Sequence, residues 1–372
     1  MRVLYIFRSL AFWGGIERIL VDKMNHLVTM YGYDVYMLTT DQGKHPVPYR
    51  LEPGVNLEDL GICFHHQYRY KDLRRLYVAW KLKRRYEHLL AQRLQVIRPD
   101  VIVCTMSEHV DSLVRLAGSI PLVVESHSIS QYTFNPSGLR QKYNAWLLKR
   151  TLEKVQAIVA LTDKDAGCWR QLYPGKVRVI PNMAHLNPTG RYSGQTSHRV
   201  IFVGRLDYQK QPLVAVSIWQ RVQPLFPDWE LHIYGEGELQ SQLEAAISKS
   251  GCRIVLHSPT PHIFDCYCDS TLLMSTSLFE PFGLVIPEAM SCGLPVVAYD
   301  SPFGPSSIIT DGVDGYLIPP GNEQLFADRL AALMADESLR CQMGSAAVNS
   351  AKRYSPTQVM PLWQELFSTV AC

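Results

Sequence analysis

Two glutamates flank a glycine turn in EPFGLVIPEAMSCG, residues 280–293, and their spacing could serve to bind a ligand rich in hydroxyl groups. Glu280 follows a strand-like run, whereas Glu288 falls in a short predicted helix whose first position suits Pro287. A carboxylate can accept hydrogen bonds from two hydroxyl groups, and Gly283 would let backbone N–H groups approach a ligand. For each glutamate taken alone, the simpler explanation is a surface residue favoured by the helix dipole.

A pair of cations lies in VGRLDYQKQP, residues 203–212, where another predicted strand gives way to a helix. In an α/β sheet, loops at the carboxyl ends of the strands line the ligand crevice. Arg205 would offer a planar fork and Lys210 a point charge to a diphosphate, although a solvated loop pair remains the alternative. Together with the two glutamates, these cations suit a molecule with hydroxyls at both ends and phosphates in the middle. A nucleotide sugar has that form.

Two glycine loops follow predicted strands at equivalent places. In GGIER, residues 14–18, Gly14 and Gly15 precede a helix predicted to run through about Tyr31. Free backbone N–H groups at a helix start suit a phosphate, while a plain strand-to-helix turn is the alternative. Gly235 in IYGEGEL would also allow close backbone approach, but a single G-x-G pair is weak evidence.

Short strand-like runs alternate with helix-length segments along the chain. Most of these runs are continuously apolar, as expected for parallel strands that are covered on both faces. The order predicts an α/β protein with doubly wound sheets, and residues 181–198, rich in Pro, Gly, Ser, Asn and Thr, indicate an interdomain linker. The predicted strands are 2–7, 33–40, 100–105, 121–126, 156–162, 199–204, 229–235, 252–257, 271–276 and 295–299.

The composition is that of a soluble globular chain, with 372 residues, 47% hydrophobic and 19% charged residues, and a net charge of +3. This charge gives no reason to expect a nucleic-acid partner, and no apolar stretch is long enough to predict a membrane span. The nine cysteines are scattered, which favours a reducing cytoplasm. Cys266-x-Cys268 lacks a second ligand pair at zinc spacing and is not predicted to bind metal.

The motifs together resemble those of the family 4 retaining glycosyltransferases, which have the GT-B fold. The resemblance rests on GGIE, GRLDYQK, YGEG, the E-x7-E element followed by AM-x-x-G-x-PVVA, and DGVDGYLIPPGN. It implies two Rossmann-like doubly wound domains with parallel sheets that face a central cleft. The expected divisions are an acceptor-side domain at 1–185, a nucleotide-sugar donor domain at 186–352, and a C-terminal segment at 353–372. This last segment is predicted to be helical after Pro361 and to cross back to the first domain.

The resemblance also implies roles for individual residues in the donor domain. Arg205 and Lys210 would bind the donor diphosphate, Glu288 the ribose hydroxyls, and Glu280 the transferred sugar. The backbone N–H groups around Phe282, Gly283 and Leu284 would meet the sugar and the phosphates. The family usually has glycine where this chain has Gln211, directly after the lysine.

In the first domain, the resemblance implies that Gly14 and Gly15 contact the phosphates. His127 occupies the place where the family often has a histidine beside the reacting sugar carbon. A histidine after a buried strand is otherwise a structural hydrogen-bonding residue, so both explanations remain open for His127. The predicted catalytic set is therefore Glu280, His127, Arg205 and Lys210.

Two further segments carry charged patterns. Residues 69–93 hold nine Lys/Arg against Asp72 and Glu87, with apolar residues at helical spacing. This basic amphipathic helix could contact anionic lipid or a lipid diphosphate, or it could be an ordinary solvated face. Asp163-Lys164-Asp165 resembles a metal-binding D-x-D element, but its place after Thr162 predicts a helix cap instead.

The resulting prediction is a metal-independent retaining glycosyltransferase of lipopolysaccharide or polysaccharide biosynthesis. It would move a hexose or N-acetylhexosamine from a nucleotide-diphosphate sugar, expected to be UDP-linked, to a cell-surface or lipid-linked glycan. No cofactor beyond the nucleotide-sugar co-substrate and no metal is expected. The predicted location is the cytoplasm, at the inner face of the cytoplasmic membrane if residues 69–93 bind lipid. A nucleotide-sugar epimerase of the same fold and a non-catalytic binding protein are the alternatives.

Overall fold

The computed structural model describes residues 1–105, 109–127 and 138–371, with only the backbone described at 139–141. The chain divides into two compact units. The first unit contains Met1–Ile180 and Met360–Cys372, and the second contains Pro181–Val359. The first division therefore lies five residues before the expected domain boundary at 185, and the end of the chain groups with the first unit.

The first unit is built on a sheet of seven parallel strands in the order β3-β2-β1-β4-β5-β6-β7. Its strands are β1 (Arg2–Phe7), β2 (Asp34–Thr39), β3 (Val55–Asp59), β4 (Val101–Thr105), β5 (Leu122–Glu125), β6 (Ala157–Ala160) and β7 (Val177–Val179). Its described helices up to β7 are α1 (Gly15–Tyr31), α2 (Asp72–Ile97), α3 (Val110–Ala117), α4 (Leu139–Leu152) and α5 (Asp163–Leu172), and a 3-10 helix (Phe64–Arg69) precedes α2.

The second unit contains a sheet of six parallel strands in the order β10-β9-β8-β11-β12-β13. These strands are β8 (Arg199–Val203), β9 (Glu230–Tyr234), β10 (Ile254–His257), β11 (Leu272–Ser275), β12 (Val296–Tyr299) and β13 (Gly315–Ile318). The helices are α6 (Pro212–Val222), α7 (Gln240–Ser250), α8 (Ile263–Cys268), α9 (Val285–Ser291), α10 (Pro305–Ile308), α11 (Glu323–Ala335) and α12 (Glu337–Ala351), followed by α13 (Pro356–Ala371), which continues into the first unit.

The doubly wound α/β class predicted from the sequence is confirmed, and all ten predicted strands are present within two residues of their expected bounds. Three strands, β3, β7 and β13, were not predicted, and each lies at the edge of a sheet. Edge strands need less apolar character because one side is open to solvent. In β3 only Val55 is buried, and β7 has only three residues, so neither shows the continuous apolar run of a central strand.

Each unit has its own hydrophobic core. Every residue of β4 and β5 is buried, as expected for parallel strands with helices on both faces. Trp169 and Tyr86 contribute large buried rings to the first core, and Trp219 and Trp229 do so in the second. The two sheets are therefore separately stabilised supports for the loops that follow their strands.

The predicted linker, residues 181–198, is held on the second unit by side-chain contacts. The Gln195 side chain donates to the Gly293 carbonyl at 2.6 Å, and the buried Arg340 guanidinium donates to the Gln195 carbonyl at 3.0 Å. Near its middle, Arg191 pairs with Asp269 at 2.5 Å. The segment joins the two units, and side-chain hydrogen bonds hold its irregular backbone on the second unit.

The terminal helix α13 begins at Pro356, five residues before the expected start, and contains Pro361 in its interior. Pro361 removes one backbone donor from the helix. The helix persists because Val359, Met360 and Phe367 lie on a buried face. Of the described helices, none combines the length and the apolar character that crossing a bilayer requires.

Candidate functional site

In the second unit, the loops after β8, β9 and β11 are joined by backbone hydrogen bonds. Leu206 donates to the Glu236 carbonyl at 2.8 Å and accepts from the Leu239 N–H at 2.9 Å. Leu278 donates to the Gln209 carbonyl at 2.8 Å. Because β9, β8 and β11 are neighbours in a parallel sheet, these loops share its carboxyl edge. In α/β proteins this edge is where ligands bind.

Lys210 and Glu280 form the central ion pair of this edge. Lys210 Nζ donates a short hydrogen bond to Oε2 of Glu280, although 70 residues separate them in the chain. The two side chains are 14% and 12% exposed, so the pair is largely desolvated but still open to a ligand. The Lys210 stem passes over Gly204, where an added Cβ would lie 3.3 Å from its Cγ. The structure thus brings together the predicted diphosphate-binding lysine and the predicted sugar-binding glutamate.

Arg205 lies on the same loop as Lys210 but is directed to solvent. Its guanidinium lies 3.0 Å from Asp207 Oδ2 and donates to Gln209 Oε1 at 2.9 Å. The side chain is 69% exposed, so most of its donors are available to an incoming anion. The predicted cation pair therefore consists of one lysine engaged with a carboxylate and one arginine that contacts Asp207 and Gln209 of its own loop.

The turn after Glu280 has the backbone that the sequence predicted. Gly283 has φ +94°, a conformation that favours glycine, and its carbonyl accepts from the Ile286 N–H at 3.0 Å. Leu284 precedes α9, and the buried Glu288 lies in its first turn. The E-x7-E spacing thus places one glutamate on the loop and the other at the helix start. Pro287 is the third residue of the helix and not the first, which its missing N–H still permits.

Two positions near the cations have a structural explanation that the sequence did not reveal. An added Cβ at Gly235 would lie 1.9 Å from the Gly204 carbonyl oxygen, so the close packing of two loops requires glycine there. Gln211 has φ +50°, in the left-handed region that costs a non-glycine residue of the order of 1 kcal/mol or more. The glycine that the family usually has after the lysine would adopt this conformation without that cost.

In the first unit, a cavity of about 450 Å³ lies at the carboxyl ends of the central strands. This volume is in the range of small-molecule sites. Apolar residues and several polar groups line it, namely Ile6, Phe7, Arg8, Ile16, Thr40, Asp41, Phe64, His65, Tyr68, Tyr86, Thr105, His109, Leu113 and His127. Of the residues that the structure describes, three histidines line this cavity, and the predicted residue His127 is one of them.

A buried charge network holds His127. His127 Nε2 lies 3.0 Å from Oε2 of Glu125, and Lys23 Nζ donates to the same oxygen at 2.5 Å. The side chains of Lys23 and Glu125 are 3% and 1% exposed. Burial would raise the pKa of Glu125, but the Lys23 charge and the hydrogen bond to His127 lower it to about 2. An ionised carboxylate can only accept, so Nε2 of His127 carries the proton and Glu125 fixes the tautomer of the ring.

Aromatic rings enclose the Lys23 end of this network. Lys23 Nζ lies 4.0 Å from the ring centroid of Trp363 on α13 and 5.6 Å from that of Tyr5 on β1. A desolvated ammonium facing an aromatic ring is attracted by the ring quadrupole. The end of the chain therefore supplies part of the surroundings of His127, through Lys23 and Glu125.

The start of α1 contains a carboxylate where a phosphate was predicted. An added Cβ at Gly14 would lie 2.0 Å from Glu17 Oε2, so the Glu17 side chain folds over the glycine pair. Burial raises the pKa of Glu17, while a hydrogen bond to its own backbone N–H and the nearby His127 act in the opposite direction. A phosphate approaching Gly14 and Gly15 would have to displace this carboxylate.

The D-x-D element is a helix cap, as predicted. Thr162 precedes α5, and its hydroxyl accepts from the Asp165 N–H at 3.2 Å. The buried Asp165 side chain accepts from Trp169 Nε1 at 3.0 Å. Both contacts are local to the first turns of the helix and give Asp165 a structural role.

Comparison with known families agrees with this architecture. Residues 13–187 match the family described as Glycosyltransferase Family 4, and residues 193–350 match the one described as Glycosyl transferases group 1. The two matches meet near the division between the units. The chain belongs to the family 4 glycosyltransferases.

Two curated relatives show how far this family membership extends. The exopolysaccharide phosphotransferase SCO2592 of Streptomyces coelicolor is 29% identical over 75% of this chain, which is 29% of its own length. The amylovoran biosynthesis glycosyltransferase AmsD of Erwinia amylovora is 31% identical over 57% of this chain and 62% of its own length. The matched segments thus span less than two thirds of either relative.

The solved structures confirm the GT-B fold of this family 4 glycosyltransferase. The Anabaena protein HepE, crystallised with UDP and glucose, superposes with a TM-score of 0.76 and 19% identity. The superposition covers 99% of this chain and all of that one. At this identity the likeness establishes the fold.

Sequence reasoning missed Lys23 and Glu125. Lys23 falls on the buried face of α1, between Leu20 and Met24, where a charge requires a buried partner. Glu125 ends the apolar run PLVVE and was counted only as part of a strand. A charged residue at an apolar position of each element was the available signal, but nothing in either segment indicates that the two residues meet.

Proposed function

We propose that this chain is a retaining, metal-independent glycosyltransferase. It would transfer a hexose or N-acetylhexosamine from a UDP-sugar to a cell-surface or lipid-linked glycan. The observation that carries the proposal is the Lys210–Glu280 pair beside the exposed Arg205, on joined loops at the carboxyl edge of the second sheet. Cations and a carboxylate in contact suit a ligand that contains both phosphates and hydroxyls.

In the Lys210–Glu280 pair, the donor diphosphate could replace the glutamate as the partner of the lysine. A diphosphate approaching Arg205 would compete with Glu280 for the Lys210 ammonium. Once Lys210 turns to the phosphates, the Glu280 carboxylate can accept hydrogen bonds from sugar hydroxyls. As the glycosidic bond to the diphosphate breaks, both cations stabilise the negative charge that develops on the leaving group. Family resemblance supports front-face transfer, in which the leaving phosphate accepts the proton of the acceptor hydroxyl.

Three observations support the proposed donor, acceptor and location. HepE was crystallised with UDP and glucose, which favours a UDP-linked donor. AmsD is named for the biosynthesis of amylovoran, which favours a glycan acceptor. The eight cysteines that the structure describes are free thiols, which favours action in a reducing cytoplasm.

The experiment is to incubate the purified protein with a panel of nucleotide sugars in the presence of EDTA and to resolve the products by mass-coupled chromatography. Release of nucleoside diphosphate and free sugar from one donor, with water as the acceptor, is the expected result, and NMR recorded before the sugar mutarotates should show the anomeric configuration of the donor. Release of nucleoside monophosphate would instead indicate sugar-phosphate transfer, as the name of SCO2592 suggests. Conversion of a donor into its epimer would identify an epimerase.

A non-catalytic binding protein is tested by Glu280→Gln. The proposal expects this variant to bind UDP within a few-fold of the unchanged protein but to lose sugar transfer. Lys249→Gln, which removes an exposed cation elsewhere on the second unit, is the control. If the unchanged protein binds UDP-sugars and gives no turnover with any donor, the enzymatic proposal is wrong.

A further inference from the structure

The first half of α2 presents an apolar stripe to solvent. The buried residues of this 26-residue helix begin only at Tyr86. Before that point, four large apolar side chains are each more than half exposed and recur at the spacing of one helix face. These side chains are Leu73, Leu76, Tyr77 and Trp80. An exposed stripe of this kind marks an interaction surface.

A second helix of the same unit repeats the pattern. Tyr143, Trp146 and Leu147 on α4 are between 40% and 60% exposed. Each helix carries a Tyr-x-x-Trp pair with stacked rings, at 6.2 Å for Tyr77–Trp80 and 5.9 Å for Tyr143–Trp146. The short helix α3 packs against both α2 and α4, so the two helices flank it. We call the seven exposed side chains on α2 and α4 the aromatic face.

Positive charge is concentrated around the aromatic face. Residues 69–85 and 139–150 contain twelve of the chain's 37 Lys/Arg and only one of its 34 Asp/Glu. Guanidinium groups lie over the exposed rings, with Arg84 5.7 Å from the Trp80 ring and Arg150 4.6 Å from the Trp146 ring. The net charge of the whole chain is only +3, so this cationic surface is a local feature.

We propose that the aromatic face binds the surface of an anionic lipid bilayer. Trp and Tyr rings favour the headgroup level of a bilayer, and Leu side chains on the same helix face reach the acyl boundary. The surrounding Lys and Arg residues attract anionic headgroups, each contributing about fivefold to binding. A cationic helix with one exposed apolar face meets both requirements at once.

The candidate cavity of the first unit adjoins this surface. Tyr68, which precedes α2 and lies under the Arg75 guanidinium at 4.5 Å, lines the cavity, and so does Tyr86 of α2. A bilayer held by the first half of α2 would therefore lie close to the cavity, and a lipid-anchored molecule could reach it without leaving the membrane. Lipid binding itself does not depend on the proposed transferase activity.

The test is co-sedimentation of the full-length protein with phosphatidylcholine vesicles that contain or lack phosphatidylglycerol, at low and high salt. Binding to the anionic vesicles only, weakened by salt, is expected. Tyr77→Ser/Trp80→Ser should lower the partition coefficient at least about tenfold because it removes apolar contact area. Arg74→Gln/Arg84→Gln should lower it about thirtyfold because it removes two cations. Trp146→Ser should also lower the partition coefficient, by the contribution of α4 to the aromatic face.

Val96→Ser and Lys249→Gln are the matched controls, because they remove an exposed apolar residue from the far end of α2 and an exposed cation from the second unit. Both should bind vesicles like the unchanged protein. Failure to bind anionic vesicles would overturn the proposal. So would binding that the Tyr77/Trp80 and Arg74/Arg84 variants leave unchanged. Self-association that Tyr77→Ser/Trp80→Ser abolishes, in the absence of vesicle binding, would identify the aromatic face as a protein interface.

Discussion

A lysine–glutamate pair lies in each unit, and the two pairs differ mainly in what surrounds them. Lys23 and Glu125 are almost completely buried, with Trp363 against the ammonium and His127 against the carboxylate. Lys210 and Glu280 retain some exposure on loops at a sheet edge. The buried Lys23–Glu125 pair can exchange neither partner. The Lys210–Glu280 pair at the open sheet edge can release its lysine to an anion. The same two residue types therefore support a fixed histidine in one unit and an adaptable site in the other.

The largest expected effect is on stability, from Lys23→Met. Removing one partner of a buried ion pair leaves the other charge unpaired and costs about 3–5 kcal/mol. Urea denaturation should show this loss in the free energy of unfolding. Lys23→Met/Glu125→Gln, which removes both charges, should recover most of it. A loss below about 1 kcal/mol for the single variant would contradict the distinction drawn between the two pairs.

Lys210→Met should have the opposite profile. The sugar-transfer kcat/KM is expected to fall about 10²–10³-fold because a charge that stabilises the leaving group is lost. The free energy of unfolding should fall by less than in Lys23→Met, because the 14% and 12% exposure of this pair lets water reach the carboxylate left behind. Steady-state kinetics and urea denaturation of the same preparation test both statements, with Lys249→Gln as the control. An equal loss of stability in Lys210→Met and Lys23→Met would remove the contrast.

The pH dependence of stability should report on the buried Lys23–Glu125 pair. The pKa of Glu125 is lowered to about 2 in the folded chain, against 4.5 for an unperturbed glutamate. Because the folded-state pKa is depressed, its stabilising contribution is present above pH 4.5 and is lost as the pH falls towards 2. The stability difference between the unchanged protein and Lys23→Met/Glu125→Gln should therefore shift towards the double variant by about 3 kcal/mol over that range. A difference that does not vary with pH would show that Glu125 titrates normally.

The smallest effect is the coupling between Lys23 and Trp363. Nζ lies 4.0 Å from the ring centroid, and a desolvated cation–π contact is worth about 2 kcal/mol. A double-mutant cycle of Lys23→Met and Trp363→Leu should give a coupling energy of about 1–2 kcal/mol in urea denaturation. Additive losses would mean that Trp363 stabilises the fold only by packing.

The sequence predicted the Lys210–Glu280 pair far better than the buried Lys23–Glu125 pair. Lys210 and Glu280 both follow apolar strands and precede helix starts, and parallel-sheet topology sends all such loops to one edge. The fold class followed from the same alternation of apolar runs. The edge strand β3 was missed because its polar residues hide the pattern.

The buried Lys23–Glu125 pair depends on contacts that no local sequence pattern specifies. Lys23 and Glu125 are 102 residues apart, and they meet only because the fold brings the Lys23 side chain of α1 to the last residue of β5. Trp363 comes from the far end of the chain, and its position over Lys23 follows from the return of α13 to the first unit. Predicting either contact requires the three-dimensional packing of the unit.

The return of α13 has a consequence for synthesis on the ribosome. Residues 1–180 emerge first, but the Lys23 ammonium receives Trp363 only after residues 181–359 have been made. The second unit is continuous in the chain and can complete its core during translation. Until then, the desolvated Lys23 ammonium of the first unit is incompletely covered. The nascent chain is therefore expected to complete the second unit before the first.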